Sequence, residues 1–378
     1  MKAERPHLAA IRALIGHPGS RGLIPTPAAV LDLDAFEANL ARMAARAKAA
    51  HLALRPHAKS HKCAAIAHRQ IVAGAVGICC AKLAEAEAMA AAGIASILVT
   101  SPIVGPASAQ RAARLARDMA DFRIVIDHPD GAAELGAVAQ GPIQVLIDVD
   151  PGMGRTGVHD AVQAVEVARA IAAQPNLTFI GVQCYGGHWQ HIEGADARAA
   201  AVADGMARLQ IVLAALRATG ADIKVVTGGG TGSFAADAAQ GVLTEVQPGS
   251  YPFMDREYRV ALGDDPDGAF QQALTIAASV ISANHPQWVT VDAGLKAFAT
   301  DGPLPVALTE KFAHSPYSFF GDEHGRLMRP DTAVARGERL DFMPPHVDPT
   351  LDRYDVIHLV RGDVLQEIVP LEARGASQ

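Results

Sequence analysis

From residue 52 to residue 247, short apolar runs alternate with longer alanine-rich segments, and this alternation restricts the fold more than any other feature of the chain. The apolar runs fall at 52–56, 76–80, 96–100, 122–127, 143–149, 177–184, 224–227 and 243–247. Between them, 84–92, 107–120, 161–173 and 196–219 have the length and residue types of helices. Strand, helix, strand, repeated, requires parallel pairing through right-handed crossovers. The runs number eight, enough to close a (β/α)8 barrel of the TIM type. A further strand and helix precede the barrel. Residues 28–33 are apolar, and Asp34 occupies the N-cap position ahead of 35–50.

Beyond residue 255 the helical alternation fades. Apolar runs at 274–281, 288–292, 339–343, 355–360 and 364–369 stand between Pro, Gly and Asp, and several are rich in Val and Ile. These are strand signals. The expected organisation is α/β, with a barrel over 25–255 and a second, mainly β domain over 256–378 that includes 1–24. A chain of 378 residues suits two cores better than one.

With 50% hydrophobic and 19% charged residues, the composition is that of a folded globular protein. The formal net charge is −7 and no basic block occurs, which argues against nucleic-acid binding. Residues 1–21 mix charge, proline and histidine and lack the apolar centre of a signal peptide. No uninterrupted apolar run is long enough for a bilayer, so no membrane partner is expected. Of the four cysteines, Cys79 and Cys80 are adjacent and would point to opposite faces of a strand; with Cys63 and Cys184 they suit a reducing compartment, and the cytoplasm is the expected location.

In a (β/α)8 barrel the working residues sit where the strands end. After the first strand comes Arg55-Pro56-His57-Ala58-Lys59-Ser60-His61-Lys62. A lysine here can bond an aldehyde cofactor if burial or neighbouring cations lower its pKa; a solvated basic loop is the plainer alternative. After the seventh strand comes Thr227-Gly228-Gly229-Gly230-Thr231-Gly232-Ser233, and after the eighth Gly249-Ser250-Tyr251. Glycines let backbone N–H groups approach an anion, and these two loops are the usual phosphate site of the barrel. A lysine after strand one with a phosphate cradle after strands seven and eight fits pyridoxal 5′-phosphate. Arg155, after the fifth strand, can reach the cofactor ring or stand on the surface. Tyr185 can contact the ring, and His191 can act as an acid or base, or both can pack the barrel mouth. In Pro345-His346-Val347-Asp348, extended backbone puts His346 and Asp348 on one face, where imidazole and carboxylate can share a divalent ion such as Mn, Mg, Co or Zn; such a pair is common by chance, and a structural role is the plainer reading of the spacing alone. Asp322-Glu323-His324-Gly325 is either support for that pair or a turn.

These stretches resemble the D-threonine aldolase and D-serine dehydratase-like family of fold-type III pyridoxal-phosphate enzymes, which share the alanine racemase-like barrel. The resemblance covers nearly the whole chain and rests on TPAAVLDLD (26–34), RPHAKSHKC (55–63), GICC (77–80), GGGTGS (228–233), GSYPFMD (249–255), VDAGLK (291–296), DEHG (322–325) and PHVDPT (345–350). It implies Lys59 as the lysine that holds the cofactor, Arg155 and Tyr185 as ring contacts, and Gly230, Thr231, Gly249, Ser250 and Tyr251 around the phosphate. It implies His346 and Asp348 as metal ligands, a small D-amino acid as substrate, and a head-to-tail homodimer. Dehydratases of the family carry His-x-Cys at the metal site and aldolases His-x-Asp, so His346-Val347-Asp348 favours cleavage of D-threonine or a related D-β-hydroxy amino acid to glycine and an aldehyde. A dehydratase giving a 2-oxo acid and ammonia, or a non-catalytic pyridoxal-phosphate-binding protein, are the alternatives. The chain departs from the family pattern at Thr156, where R-C-G-V reads R-T-G-V, at Cys184–Gly186, and at Ser101-Pro102.

Overall fold

The computed structural model describes residues 6–263 and 269–378. Strand β1 (Ala28–Asp32) is followed by β2 (Ala53–Leu54), β3 (Ile78–Cys80), β4 (Ser96–Val99), β5 (Asp121–Ile126), β6 (Ile143–Asp148), β7 (Leu177–Cys184), β8 (Val225–Gly228) and β9 (Glu245–Val246). Each of the eight runs read from the sequence thus contains a strand whose ends fall within two residues of it. They pair in parallel in the order β2-β9-β8-β7-β6-β5-β4-β3. The ring closes between β2 and β3, where Val76 N–H donates to Leu54 O at 2.8 Å and Cys79 N–H to Pro56 O at 2.8 Å. Helices Leu83–Ala91, Pro106–Asp118, Ala161–Ala172 and Ala195–Ala218 lie where alanine-rich segments predicted them. The helix Ala195–Ala218 is long and apolar enough by composition to cross a membrane. Here it is the crossover between β7 and β8, and its apolar stripe of Val202, Met206, Leu209, Leu213 and Leu216 is buried.

Residues in register on neighbouring parallel strands face the same side, and the inward side chains form a polar, an apolar and a second polar layer along the strands. At the N-terminal ends, Arg55 Nε donates to Glu245 Oε2 at 3.0 Å and Arg55 Nη1 to Ser96 Oγ at 2.8 Å, while Arg123 makes a two-pronged pair with Asp121 at 2.9 and 3.1 Å. Gly77 is required beside this plug, because a Cβ there would lie 2.2 Å from Arg55 Nη1 and 2.7 Å from the Ser96 carbonyl. The middle layer is apolar: Cys79, Leu98, Val125, Leu146 and Ile180. The third layer, at the C-terminal ends, is polar again and floors the candidate site.

The second unit comprises Met1–Ala41, Ser250–Val260 and Phe270–Arg374; the barrel unit is Arg42–Gly249 with Ala261–Ala269 and Gly375–Gln378. Strands β10 (Leu274–Ser282), β11 (Trp288–Val291), β12 (Val306–Ala307), β13 (Tyr317–Phe319), β14 (Gly325–Met328), β15 (Arg339–Met343), β16 (Val356–Arg361) and β17 (Val364–Pro370) form one sheet with β1. Strand β1 pairs antiparallel with β10 and parallel with β16, so chain order, which put it beside the barrel, does not decide its partners. The strands β12 to β14, two to four residues long, were too short to be read from the sequence. Of the N-terminal segment assigned to this domain, residues 1–5 lie outside the described residues; Leu8, Ile11 and Ile24 pack with Val30, Val360 and Ile368. The helix after β1 is Leu33–Ala49, and its first turn is capped by Asp32, whose Oδ1 accepts from Ala35 N–H at 3.0 Å. Asp34, the expected cap, lies inside that turn and pairs with Arg361, because the strand ends one residue earlier than the apolar run.

Candidate active site and metal-ligand pair

In the barrel unit, Lys59 lies half-buried in the 3-10 turn Ala58–Ser60, just past the end of β2. The turn is locked by its neighbours. His57 Nδ1 accepts from Lys59 N–H at 3.3 Å, and His57 Nε2 lies 3.1 Å from Thr100 Oγ1. Because Nδ1 accepts, the ring proton belongs on Nε2, which donates to Thr100. Ser60 Oγ donates to Gly249 O at 3.0 Å, joining the lysine turn to the end of β9.

Strand order places the other predicted residues in sequence around the same rim: Lys59 after β2, Gly249 after β9, Gly230 and Thr231 after β8, Tyr185 and His191 after β7, Arg155 after β6. The glycine loop is pinned from behind. Gly232 N–H donates to Gln190 Oε1 at 2.9 Å, and Ser233 Oγ donates to Asp237 Oδ2 at 2.6 Å. A Cβ on Gly230 would lie 2.3 Å from Gln190 Oε1, and one on Gly232 the same distance from the Gln190 carbonyl. Such a rigid loop with a buried Thr231, separated by β9 from the strand end that carries Lys59, fits a phosphate-bearing aldehyde cofactor: one anchor for the anion and one amine for the carbonyl. Arg155 Cζ lies 5.6 Å from the centroid of the Tyr185 ring, so the two predicted ring contacts are together. His191 is exposed, two residues beyond the turn Gly187–Trp189. Ser250 and Tyr251 are buried but cluster with the second unit.

Beneath the rim runs a network that sequence reasoning missed. Gln183 Nε2 donates to Thr100 O at 2.9 Å and to Asp148 Oδ1 at 2.8 Å; Thr156 Oγ1 donates to Asp148 Oδ2 at 2.8 Å. Gln247 Nε2 donates to Gln183 Oε1 at 3.2 Å and to Thr227 Oγ1 at 3.0 Å. Burial pushes the Asp148 carboxyl up to about 6; the bonds from Gln183 and Thr156 and the charge of Arg155 oppose the rise, and Asp127 adds to it. The signal available was a polar residue at each inward position near the end of a strand.

In the second unit, His346 and Asp348 are together: Nε2 and Oδ1 lie 3.9 Å apart. Ligand bonds of roughly 2.0–2.2 Å to one ion allow that separation. His346 Nδ1 lies 2.9 Å from Asp301 Oδ2 and 3.7 Å from Glu257 Oε2. A carboxylate on the second ring nitrogen is the usual way to orient a metal-binding imidazole, and Asp301, 45 positions away in the chain, belongs to no motif that would reveal it. Burial lowers the His346 pKa, but Asp348, Asp301, Asp255 and Glu257 outweigh it and raise it overall. Asp255 is fully buried and accepts from Val347 N–H at 2.8 Å; burial moves its carboxyl to about 7. Among the described residues no group of three or more His, Cys, Asp or Glu is arranged as a complete ligand set, so the pair would leave the remaining positions to water or substrate. In the DEHG segment, exposed Glu323 pairs with Lys296 at 2.5 Å, and a Cβ on Gly294 of VDAGLK would lie 2.3 Å from His324 N.

A parallel eight-stranded barrel with a lysine turn after its first strand and a glycine loop after its seventh defines the class of fold-type III pyridoxal-phosphate enzymes. Residues 31–257 match the model of the alanine racemase N-terminal domain, and residues 273–360 that of a putative serine dehydratase domain. The chain is 40% identical to a D-threonine aldolase of Arthrobacter sp., covering 96% of each. It is 38% identical to a 3-hydroxy-D-aspartate aldolase of Paracoccus denitrificans, covering 93% of this chain and 92% of that one. The crystal structure of D-threonine aldolase from Filomicrobium marinum superposes with a TM-score of 0.90 at 39% identity, covering 94% of this chain and 98% of that one. The chain belongs to the D-threonine aldolase and D-serine dehydratase-like family of these enzymes.

Proposed function

We propose that the chain is a carbon–carbon lyase that cleaves the Cα–Cβ bond of a small D-β-hydroxy amino acid, D-threonine or 3-hydroxy-D-aspartate, giving glycine and an aldehyde. The observation that carries the choice of cleavage over dehydration is the ligand pair. Asp348 offers a hard oxygen donor 3.9 Å from the His346 imidazole, a set that suits Mn, Mg, Co or Zn. The dehydratase pattern needs a cysteine there, and all four cysteines of this chain are buried in the barrel unit. The two aldolases similar over nearly their whole lengths support the same reading.

Pyridoxal phosphate, when bound, supplies the electron sink that makes a bond at Cα breakable, and a divalent ion supplies acidity at a hydroxyl it binds. Lys59 presents its amine from a turn that His57 and Ser60 hold in place. Gly230, Thr231 and Gly249, continued in sequence by Ser250 and Tyr251, take the phosphate. Arg155 and Tyr185 orient the ring. Asp301 fixes the His346 ring so that Nε2 faces Asp348. His191 takes the proton from the substrate hydroxyl oxygen. The protein works as a cytoplasmic homodimer, a reading supported by four reduced cysteines and by the family resemblance.

The test is to supply D-threonine, pyridoxal phosphate and Mn and to identify the products. Acetaldehyde with glycine is expected. 2-Oxobutyrate with ammonia would overturn the assignment in favour of dehydration, and no turnover of any D-β-hydroxy amino acid would leave a binding protein. Asp348→Ala is expected to keep cofactor binding and lose metal-dependent turnover; full activity of the wild type in chelator would remove the metal from the scheme.

A further inference from the structure

The loop from Asp150 to Val158 carries Arg155 at an exposed position, yet three aspartates hold it. Asp150 Oδ1 accepts from the N–H groups of Gly152, Met153 and Gly154 at 2.9, 2.8 and 3.0 Å. Asp127 Oδ2 accepts from Gly157 N–H at 3.1 Å. Asp148 holds it twice: its carbonyl accepts from Val158 N–H at 2.9 Å, and its carboxylate accepts the Thr156 hydroxyl at 2.8 Å. Of these anchors only Asp148 also reaches across the barrel floor. Its other oxygen accepts from Gln183, Gln183 donates to the Thr100 carbonyl, and the Thr100 hydroxyl meets His57, which accepts from Lys59 N–H. A continuous chain of hydrogen bonds thus runs from exposed Thr156, the residue next to Arg155, to the turn that bears Lys59, through Asp148, Gln183, Thr100 and His57, which are all buried.

We infer that Asp148 and Thr156 are positioning residues that set where Arg155 stands relative to Lys59, and so hold the ring contact in register with the amine. Thr156 occupies the position where the family pattern has cysteine; its hydroxyl is a stronger donor to a carboxylate than a thiol. The inference rests on the proposed cofactor role of Lys59 and Arg155, and the experiment separates the two.

Three variants are compared: Thr156→Val, which keeps the shape and removes the donor; Thr156→Ser, which restores it; and Asp148→Ala, which removes the acceptor. In protein free of cofactor, amide hydrogen exchange of Gly152–Val158 is measured. Thr156→Val and Asp148→Ala are expected to exchange about tenfold faster there, with Thr156→Ser returning to the wild-type rate. Pyridoxal-phosphate affinity and absorbance are then titrated. Thr156→Val is expected to bind about tenfold more weakly with an altered spectrum, and Thr156→Ser to recover both. Exchange, affinity and spectrum all unchanged in Thr156→Val would overturn the inference, as would a loss that Thr156→Ser fails to restore. Faster exchange in the variants alongside a wild type that takes up no pyridoxal phosphate would confirm the anchor and overturn the cofactor reading instead.

Discussion

At the scale of single residues, the lysine turn shows how much identity and how much surroundings contribute. Lys59 is one of two lysines in its loop, and spacing alone does not rank it above Lys62. Surroundings do: Lys59 sits in the turn Ala58–Ser60, which Ser60 ties to Gly249, whereas Lys62 lies 3.8 Å from the Glu85 carboxylate. Lys59→Ala is expected to abolish covalent attachment of pyridoxal phosphate, read as loss of the borohydride-fixed adduct, while Lys62→Ala keeps it; an adduct persisting at another residue would refute the assignment. Asp148 gives a prediction in pH. Its carboxyl is raised to about 6 in the fold from an ordinary 3.8, so the native state binds more protons than the unfolded chain between those values. Its contribution to stability is therefore greatest in acid and declines as pH rises from about 4 to about 6, by about 3 kcal/mol at most. Urea unfolding of cofactor-free wild type and Asp148→Asn should show the variant gaining on the wild type across that window; parallel curves would contradict the buried-acid account.

Elements impose what residues cannot. The loop Gly228–Ser233 reads in sequence as a phosphate cradle or a plain turn, and glycine count does not separate these. The structure shows why a side chain is excluded at Gly232: the Gln190 carbonyl stands where a Cβ would go. Gly232→Ala is expected to cost about 1–3 kcal/mol of stability and to weaken cofactor binding, since backbone and not a movable side chain must give way. Thermal unfolding and a pyridoxal-phosphate titration of the same sample check this, and wild-type values in both would show that the loop is not held as described. Strand β2 makes a similar point. It is only Ala53–Leu54, yet it is held into the ring by the buried Arg55–Glu245 pair. Arg55→Ala would strand Glu245 without its main partner, and unfolding measurements should show a loss of about 3–5 kcal/mol.

For the whole molecule, the division of labour between units is a matter of which strands pair. A cofactor bound only by the folded barrel must stabilise it by mass action: at a hundredfold excess over its dissociation constant, roughly 2.7 kcal/mol. Unfolding of wild type with and without pyridoxal phosphate should show that gain, and Lys59→Ala should lose most of it; equal gains would mean that the stabilisation arises elsewhere. Light scattering at working concentration checks the dimer expected of the family.

The barrel was legible because its signal is local. Each strand is a short apolar run, each crossover helix an alanine-rich segment of fitting length, and eight repeats leave few topologies open. The lysine, the glycine loop and the His346–Asp348 pair could be singled out as candidates because each lies within a few consecutive residues, and the motifs shared with the family, not the spacing, marked them as a site. What tertiary structure alone decided is what depends on partners far apart in the chain. The pairing of β1 with β10 and β16, the orientation of His346 by Asp301, and the link from Thr156 through Asp148 and Gln183 to Thr100 and His57 all join residues tens to hundreds of positions apart. Hydrogen bonds and buried charges act over a few ångströms of space whatever the chain separation, so no local pattern records them.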